Sequence, residues 1–180
     1  MTGSFPNWYA LYLRSRYEKR VHEDLTGKGV ETFLPLIEEV HVWSDRKKRV
    51  MEPLFRGYLF VKTDFRDRAR ILTTEGVVRF VGINGRPSAI PESEIDWVRR
   101  VIGQPMDVKR EQYLEVGERV RVIAGPLLGV EGIVIQKQGI SRVVVSVEAI
   151  AQSVSVQVPA DLLEVIHVSK EMLDQKRSVK

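Results

Sequence analysis

The last third of the chain alternates β-branched and polar residues with a period of two. Val120 and Val122 interleave with Arg119 and Arg121, and Val154, Val156 and Val158 with Ser155 and Gln157. Only a strand points successive side chains to opposite sides, so this pattern demands β-structure. Ile133–Ile135 and Val143–Val147 add β-branched runs, separated by Gly-Pro, single glycines and polar turns. About five short strands in roughly fifty residues fit a small closed barrel, which leaves so short a chain no long exposed edge.

The first part follows another rule. Trp8–Leu13 is an apolar run that reads as a buried strand. Ser15 and Glu18 have the spacing of a capping box, Val21 and Leu25 share one face of the helix that follows, and Gly27 and Gly29 end it. Val30–Leu36, Glu39–Trp43 and Val50–Leu54 read as strands, the last two joined by the polar turn Ser44–Arg49. Gly57–Lys62 is a further strand, Arg66–Thr73 a short helix and Val77–Val81 a strand. Pro91 begins a final helix on which Ile95, Val98 and Ile102 form one apolar stripe. Helices against a mostly antiparallel sheet predict an α+β sandwich.

Gly103, Gln104 and Pro105 stop that helix, and the stretch from Asp107 to Gln112 has no apolar period. The expected organisation is an α+β domain over 1–106, an exposed linker over 107–113, a barrel over 114–168 and a frayed or weakly helical tail over 169–180. The net charge is +4, and its placement is informative. Residues 1–106 hold 18 Lys+Arg against 14 Asp+Glu, whereas residues 113–168 hold 4 against 6. The first part therefore attracts polyanions and the barrel does not.

Several classes are disfavoured. There is no cysteine, so neither disulfides nor thiolate metal sites can form, which fits a reducing compartment. No apolar run approaches the roughly eighteen residues of a membrane span, and the order of apolar and basic residues at the start is the reverse of a signal peptide. A cytoplasmic protein without membrane contact is expected. His22, His41 and His167 are scattered, with no metal-ligand spacing. The glycine-rich stretch Gly125–Gly132 lacks the ending of a phosphate loop, and no serine sits in a nucleophile elbow. Glu92, Glu94 and Asp96 open a helix, where its dipole favours acids. A binding protein without cofactor, rather than an enzyme, is the reading that remains.

Two surfaces are candidates. Arg16 and Arg20 share a helical face, with Lys19 beside them and Arg14 just before. Such a ridge meets phosphates along a nucleic-acid strand or is simply a solvated face, and spacing leaves both open. Arg46–Arg49 is a second basic cluster, at a hairpin tip, with the same two readings. Trp8, Tyr9, Tyr12, Phe55, Tyr58, Phe60 and Phe80 lie mostly on predicted strands. Tyr58 and Phe60 point one way, and Leu59 and Val61 the other. One side is then either a partner-binding apolar patch or covered by a further layer.

Trp8-Tyr9, the basic helix Ser15–Leu25 and the run Glu52-Pro-Leu-Phe-Arg-Gly-Tyr-Leu-Phe-Val61 resemble the N-terminal domain of NusG-type transcription factors. Gly117–Val134 resembles their KOW motif, the signature of a small SH3-like β-barrel, and the likeness spans about residues 7–167. The wording of Glu52–Val61 is similar to specialised paralogues such as RfaH and UpxY. The resemblance implies an elongation or antitermination factor that binds the clamp helices of RNA polymerase. It implies that Phe55 and Tyr58 form the polymerase-binding depression, with Tyr12, Phe60, Val77 and Phe80 as neighbours. It also implies that Arg14 and Arg20 face the non-template DNA, and Arg16, Lys19 and Thr74 are assigned to the same DNA-binding set. In the barrel, Leu127, Val130 and Ile150 take the positions with which housekeeping members hold a ribosomal protein or Rho. Asp24 and Gly27 replace two DNA-contacting residues of the RfaH pattern, and Arg66–Thr73 lacks its His-Thr-Thr stretch. The barrel of RfaH refolds into helices; the dense valines here predict one stable β form. The remaining expectations are a monomer and, as the alternative function, an RNA-binding or ribosome-associated KOW protein.

Overall fold

A computed structural model describes residues 6–42, 47–104, 108–111, 117–137 and 140–166. The apolar run at the start forms β1 (Asn7–Leu13), followed by α1 (Glu18–Gly27) and β2 (Glu31–Phe33). Strands β3 (Leu36–Val42) and β4 (Lys47–Pro53) make a separate hairpin. Then come β5 (Tyr58–Thr63), α2 (Arg68–Leu72), β6 (Val77–Phe80), the short pair β7 (Gly82–Ile83) and β8 (Arg86–Pro87), and α3 (Glu92–Ile102). The main sheet of this part has the order β2-β5-β1-β6. The rest is β: β9 (Val108–Glu111), β10 (Glu118–Val122), β11 (Glu131–Lys137), β12 (Ile140–Val147), β13 (Gln152–Gln157) and β14 (Leu163–Val165). These six form one sheet in the order β14-β10-β11-β12-β13-β9. Among the described residues every pairing is antiparallel. The valine-rich runs of the C-terminal part are thus strands, as their alternation requires, with short 3-10 turns at Glu148–Ile150 and Ala160–Leu162.

The pleat of β1 and β5 divides the first part into two cores. Tyr9, Leu11, Leu13, Leu59 and Val61 point to one side, where Val21 and Leu25 of α1 and Ile71 of α2 cover them. Trp8, Ala10 and Phe60 point to the other, toward Ile95, Val98 and Val101 of α3. Val101, rather than Ile102, completes the fully buried stripe of that helix.

The second core does not stop at α3. Arg142–Val145 on β12 and Ser153–Val156 on β13 are each four consecutive buried residues. A strand with one solvated face alternates, so both faces of these strands are covered. α3 packs against β12 from outside. One apolar cluster joins Trp8, Phe55 and Phe60 through α3 to Val143, Val145, Val154 and Val156. Arg142 is buried as well, and satisfies its charge by donating to Ser155 Oγ at 2.8 Å and to Ser155 O at 3.1 Å.

Three local expectations are corrected. The Ser15–Glu18 capping box does not form: α1 begins at Glu18 after Tyr17, with no side-chain cap, because the Glu18 carboxylate is engaged elsewhere. The strand expected over 30–36 breaks into β2 and the start of β3 at Leu34-Pro35, since Pro35 donates no ladder hydrogen bond. The stretch read as an exposed linker contains β9, which pairs with β13. Trp43, Arg46, His167 and the tail expected over 169–180 lie outside the described residues.

Gly132 marks the tightest approach in the C-terminal sheet. A Cβ there would stand 2.3 Å from Val144 O, a main-chain atom that cannot swing away. Gly132→Ala is expected to lower the unfolding free energy by about 1–3 kcal/mol or more in urea titrations. Gly27→Ala, where the added carbon meets nothing within 4 Å, is expected to lose none.

Candidate partner-binding faces

The turn between β4 and β5 carries the aromatic face. Gly57 adopts φ +80°, a conformation that side chains disfavour. Its carbonyl accepts from Leu13 N at 2.8 Å, and its N–H donates to Glu18 Oε1 at 2.8 Å. Tyr58 N closes the turn on Phe55 O at 3.2 Å. Glu18 is buried, and its carboxylate braces this turn instead of capping its own helix. Glu18→Ala leaves the Gly57 N–H without its partner. A loss of about 1–3 kcal/mol is expected in thermal unfolding, with α1 itself retained.

The six aromatic and apolar candidates separate by face. Tyr12 and Tyr58 are directly opposite across β1 and β5, with ring centroids 5.7 Å apart. Tyr12 is 40% exposed, and Tyr58 is partly buried. Phe60 lies on the same side, with Phe55 edge-on to it at 5.8 Å and Phe33 stacked at 6.0 Å. Phe55 and Phe60 are 1% and 0% exposed, so they form a floor rather than an open surface. Val77 and Phe80 pair with Leu13 and Leu11, on the opposite side of the sheet, where Phe80 meets Tyr9 edge-on at 6.0 Å. Sequence reasoning missed Arg79. It sits opposite Tyr12, with its guanidinium 5.4 Å from that ring's centroid, in cation–π range. Strand alternation carries the signal, since Arg79 must face away from Phe80.

The basic residues Arg14, Arg16, Lys19 and Arg20 are all exposed. Lys19 Nζ donates to Met51 O at 2.7 Å, which ties α1 to the hairpin. Arg20 is paired with Glu75 at 2.7 Å and lies 5.8 Å over the Tyr17 ring. Thr74, by contrast, is buried; its hydroxyl donates to Arg70 O at 3.3 Å and accepts from Lys28 Nζ at 2.7 Å. Arg16 has φ +67°, a left-handed conformation that costs a non-glycine residue about 1–2 kcal/mol. Arg16→Gly is expected to raise the unfolding free energy by up to about 1 kcal/mol, less the extra entropy that glycine loses on folding. Arg16→Ala, with the strain intact, is the comparison in chemical denaturation.

The three C-terminal candidates are inward. Leu127, Val130 and Ile150 are 2%, 0% and 6% exposed and belong to the cluster shared with α3. Their neighbours are tied to that helix: Arg100 Nη1 donates to Leu128 O at 2.8 Å, and Glu148 N–H donates to Glu94 Oε2 at 3.3 Å. On the same loop Ile123 and Leu128 are the exposed apolar residues.

A charged cluster borders the aromatic turn. Arg110 of β9 donates from Nε to Leu54 O at 2.8 Å, from Nη2 to Pro53 O at 2.7 Å, and from Nη1 to the Glu39 carboxylate. Arg56 meets the same carboxylate at 3.3 Å, and His41 Nε2 lies 3.8 Å from Glu39 and 4.0 Å from Glu52. Burial raises the Glu39 pKa, but the Arg110 hydrogen bond and charge, then Arg56 and His41, bring it below its ordinary value. A carboxylate depressed in the folded state adds stability at neutral pH and loses it as pH falls through that lowered value. Glu39→Gln is therefore expected to flatten the acid limb of the stability–pH profile, measured by melting temperature.

Among the described residues no group of acidic, histidine or cysteine side chains is arranged to hold a metal ion, and no helix is long and apolar enough to cross a membrane.

The family model "Transcription termination factor nusG" matches residues 6–99. The chain is 31% identical over 147 residues to the transcription termination/antitermination protein NusG of Borreliella burgdorferi, covering 71% of this chain and 80% of that one. It is 29% identical over 134 residues to the protein of the same description from Halalkalibacterium halodurans, covering 67% and 75%. Among solved structures, "Domain interaction in Thermotoga maritima NusG" matches with a TM-score of 0.53 and 22% identity, over 90% of this chain and 98% of that one. A two-part chain with an α+β sheet, a C-terminal β domain and this sequence kinship belongs to the NusG family of transcription termination/antitermination factors.

Proposed function

We propose that this chain is an elongation or antitermination factor that binds the clamp helices of RNA polymerase through the Tyr12–Tyr58 pair, with Phe55 and Phe60 as its floor. The observation that carries this reading is the pair itself. Two tyrosines stand side by side on the sheet face that α1 and α2 leave uncovered, beside a turn braced by Glu18. Aromatic anchors beside an arginine are the residues from which interfaces draw most of their energy. Val77 and Phe80 support the sheet from behind, and Thr74 holds the loop that pairs with Arg20. The exposed ridge of Arg14, Arg16, Lys19 and Arg20 faces the non-template DNA. Its action is binding rather than catalysis. The surface around Leu127, Val130 and Ile150 takes a protein, a ribosomal protein or Rho. The net negative charge of residues 113–168 disfavours the alternative of an RNA-binding barrel.

Tyr12→Ala and Tyr58→Ala are each expected to weaken RNA polymerase binding by roughly 30-fold, the equivalent of about 2 kcal/mol at an anchor residue. Phe55→Ala is the poorer test, because truncating a buried phenylalanine costs about 3–5 kcal/mol of stability whatever it binds. Equal binding by wild type and both folded tyrosine variants, in equilibrium titration against polymerase, would overturn the site.

A further inference from the structure

Arg20, Lys62, Arg99 and Arg79 each lie over an aromatic ring, and the first three also meet a carboxylate. Arg20, 5.8 Å from the Tyr17 centroid, pairs with Glu75 at 2.7 Å. Lys62, 5.8 Å from that of Trp8, pairs with Glu92 at 2.8 Å. Arg99, 5.0 Å from Trp8 and 5.1 Å from Phe33, pairs with Asp96 at 3.1 Å and reaches Glu31 at 3.9 Å. Arg79 is the exception. Its guanidinium stands 5.4 Å from the Tyr12 centroid, and its polar contact is a long one, 3.5 Å from Nη1 to Phe80 O. Among the described residues no carboxylate pairs with it.

Its surroundings supply none. Arg79 lies opposite Tyr12, and Tyr12 opposite Tyr58, so the cation and two rings form a row across β6, β1 and β5. Glu18, which reaches the turn beside this row, is buried and accepts from Gly57 N. An exposed arginine ordinarily samples many rotamers, and fixing it costs entropy, which is why surface ion pairs contribute little. Stacking on Tyr12 fixes the guanidinium beforehand. Its planar fork still has N–H groups to donate, and a carboxylate accepts two of them at once. A partner that covers the rings also removes water from such a pair and strengthens it.

We infer, given the polymerase-binding reading of the aromatic face, that Arg79 is its specificity-determining cation. Its counterpart is a carboxylate on the partner's helices, an aspartate or glutamate beside the apolar side chain that meets Tyr12 and Tyr58. The rings hold any apolar helix face. Arg79 rejects one that presents a cation at this point and leaves a neutral one without its best contact. A phosphate also suits a guanidinium fork, but phosphates along a strand draw clustered cations, and the neighbours of Arg79 in the row are rings.

The experiment titrates the full-length chain against core RNA polymerase free of nucleic acid. Arg79 is exposed, so its variants are expected to melt as wild type does. Arg79→Gln is expected to weaken binding roughly 10-fold, and Arg79→Glu roughly 100-fold. Rising salt is expected to weaken wild type more than Arg79→Gln, so that the gap narrows. Arg79→Met, which keeps a stem over the ring without the charge, is expected to bind no better than Arg79→Gln. Among lysine substitutions of the acidic residues of the clamp helices, made one at a time, one is expected to restore binding to Arg79→Glu. Wild-type affinity in Arg79→Gln or Arg79→Met, or failure of every reversal to rescue Arg79→Glu, overturns the pairing. A loss seen only with polymerase that carries nucleic acid assigns Arg79 to a phosphate and overturns it as well. Weakened binding by Tyr12→Ala and Tyr58→Ala with none by Arg79→Gln keeps the aromatic face and removes the carboxylate. Rescue of Arg79→Glu alongside normal binding by both tyrosine variants keeps the pairing and removes the aromatic anchors.

Discussion

Everything in this chain depends on the pleat of one strand pair. β1 and β5 send their side chains alternately to two sides, and each side holds too much apolar surface to be left in water. Helices α1 and α2 dispose of Leu11, Leu13, Leu59 and Val61. The other side begins with Trp8 and ends with Tyr12, and α3 covers only its first half. The second half, from Phe60 to Tyr12, is where a partner or the C-terminal sheet must come. The division of one sheet into a finished core and an unfinished one lets the same strands serve stability and, on the reading proposed for the aromatic face, recognition.

The braces around the unfinished side are polar and long-range. Glu18 holds Gly57 from 39 residues away, and Arg110 holds Pro53 and Leu54 from the far side of α3. Arg79 and Tyr12 meet through strand register. Each of these fixes main chain or ring orientation at the aromatic turn, and none contributes much apolar burial. The rigidity of the turn thus comes from hydrogen bonds, while its apolar contacts come from rings.

The legible parts of the sequence were those in which local period and tertiary demand agree. The alternation in Tyr58–Val61 predicts which side each residue takes, and the register bears that out. The valine pattern of β10 and β13 likewise yields strands. What escaped was decided by contacts distant in sequence. Ser15 and Glu18 have perfect capping-box spacing, but Gly57 offers the carboxylate a better-placed donor, and a buried N–H without a partner would cost more than an exposed helix end. Val108–Glu111 carries two charges in its middle and reads as solvated linker; the edge of β13 and the acceptors around Glu39 make it a strand. Leu127, Val130 and Ile150 occupy positions that imply an outward face, yet α3 lies over that region and they are buried.

The brevity of the connection before β9 has a consequence for concentration. Five positions separate Ile102 from Val108, so the C-terminal sheet remains within a short radius of the first part. Contacts between the two parts are therefore made at an effective concentration of roughly millimolar strength, whatever the amount of protein in solution. Dilution does not remove them.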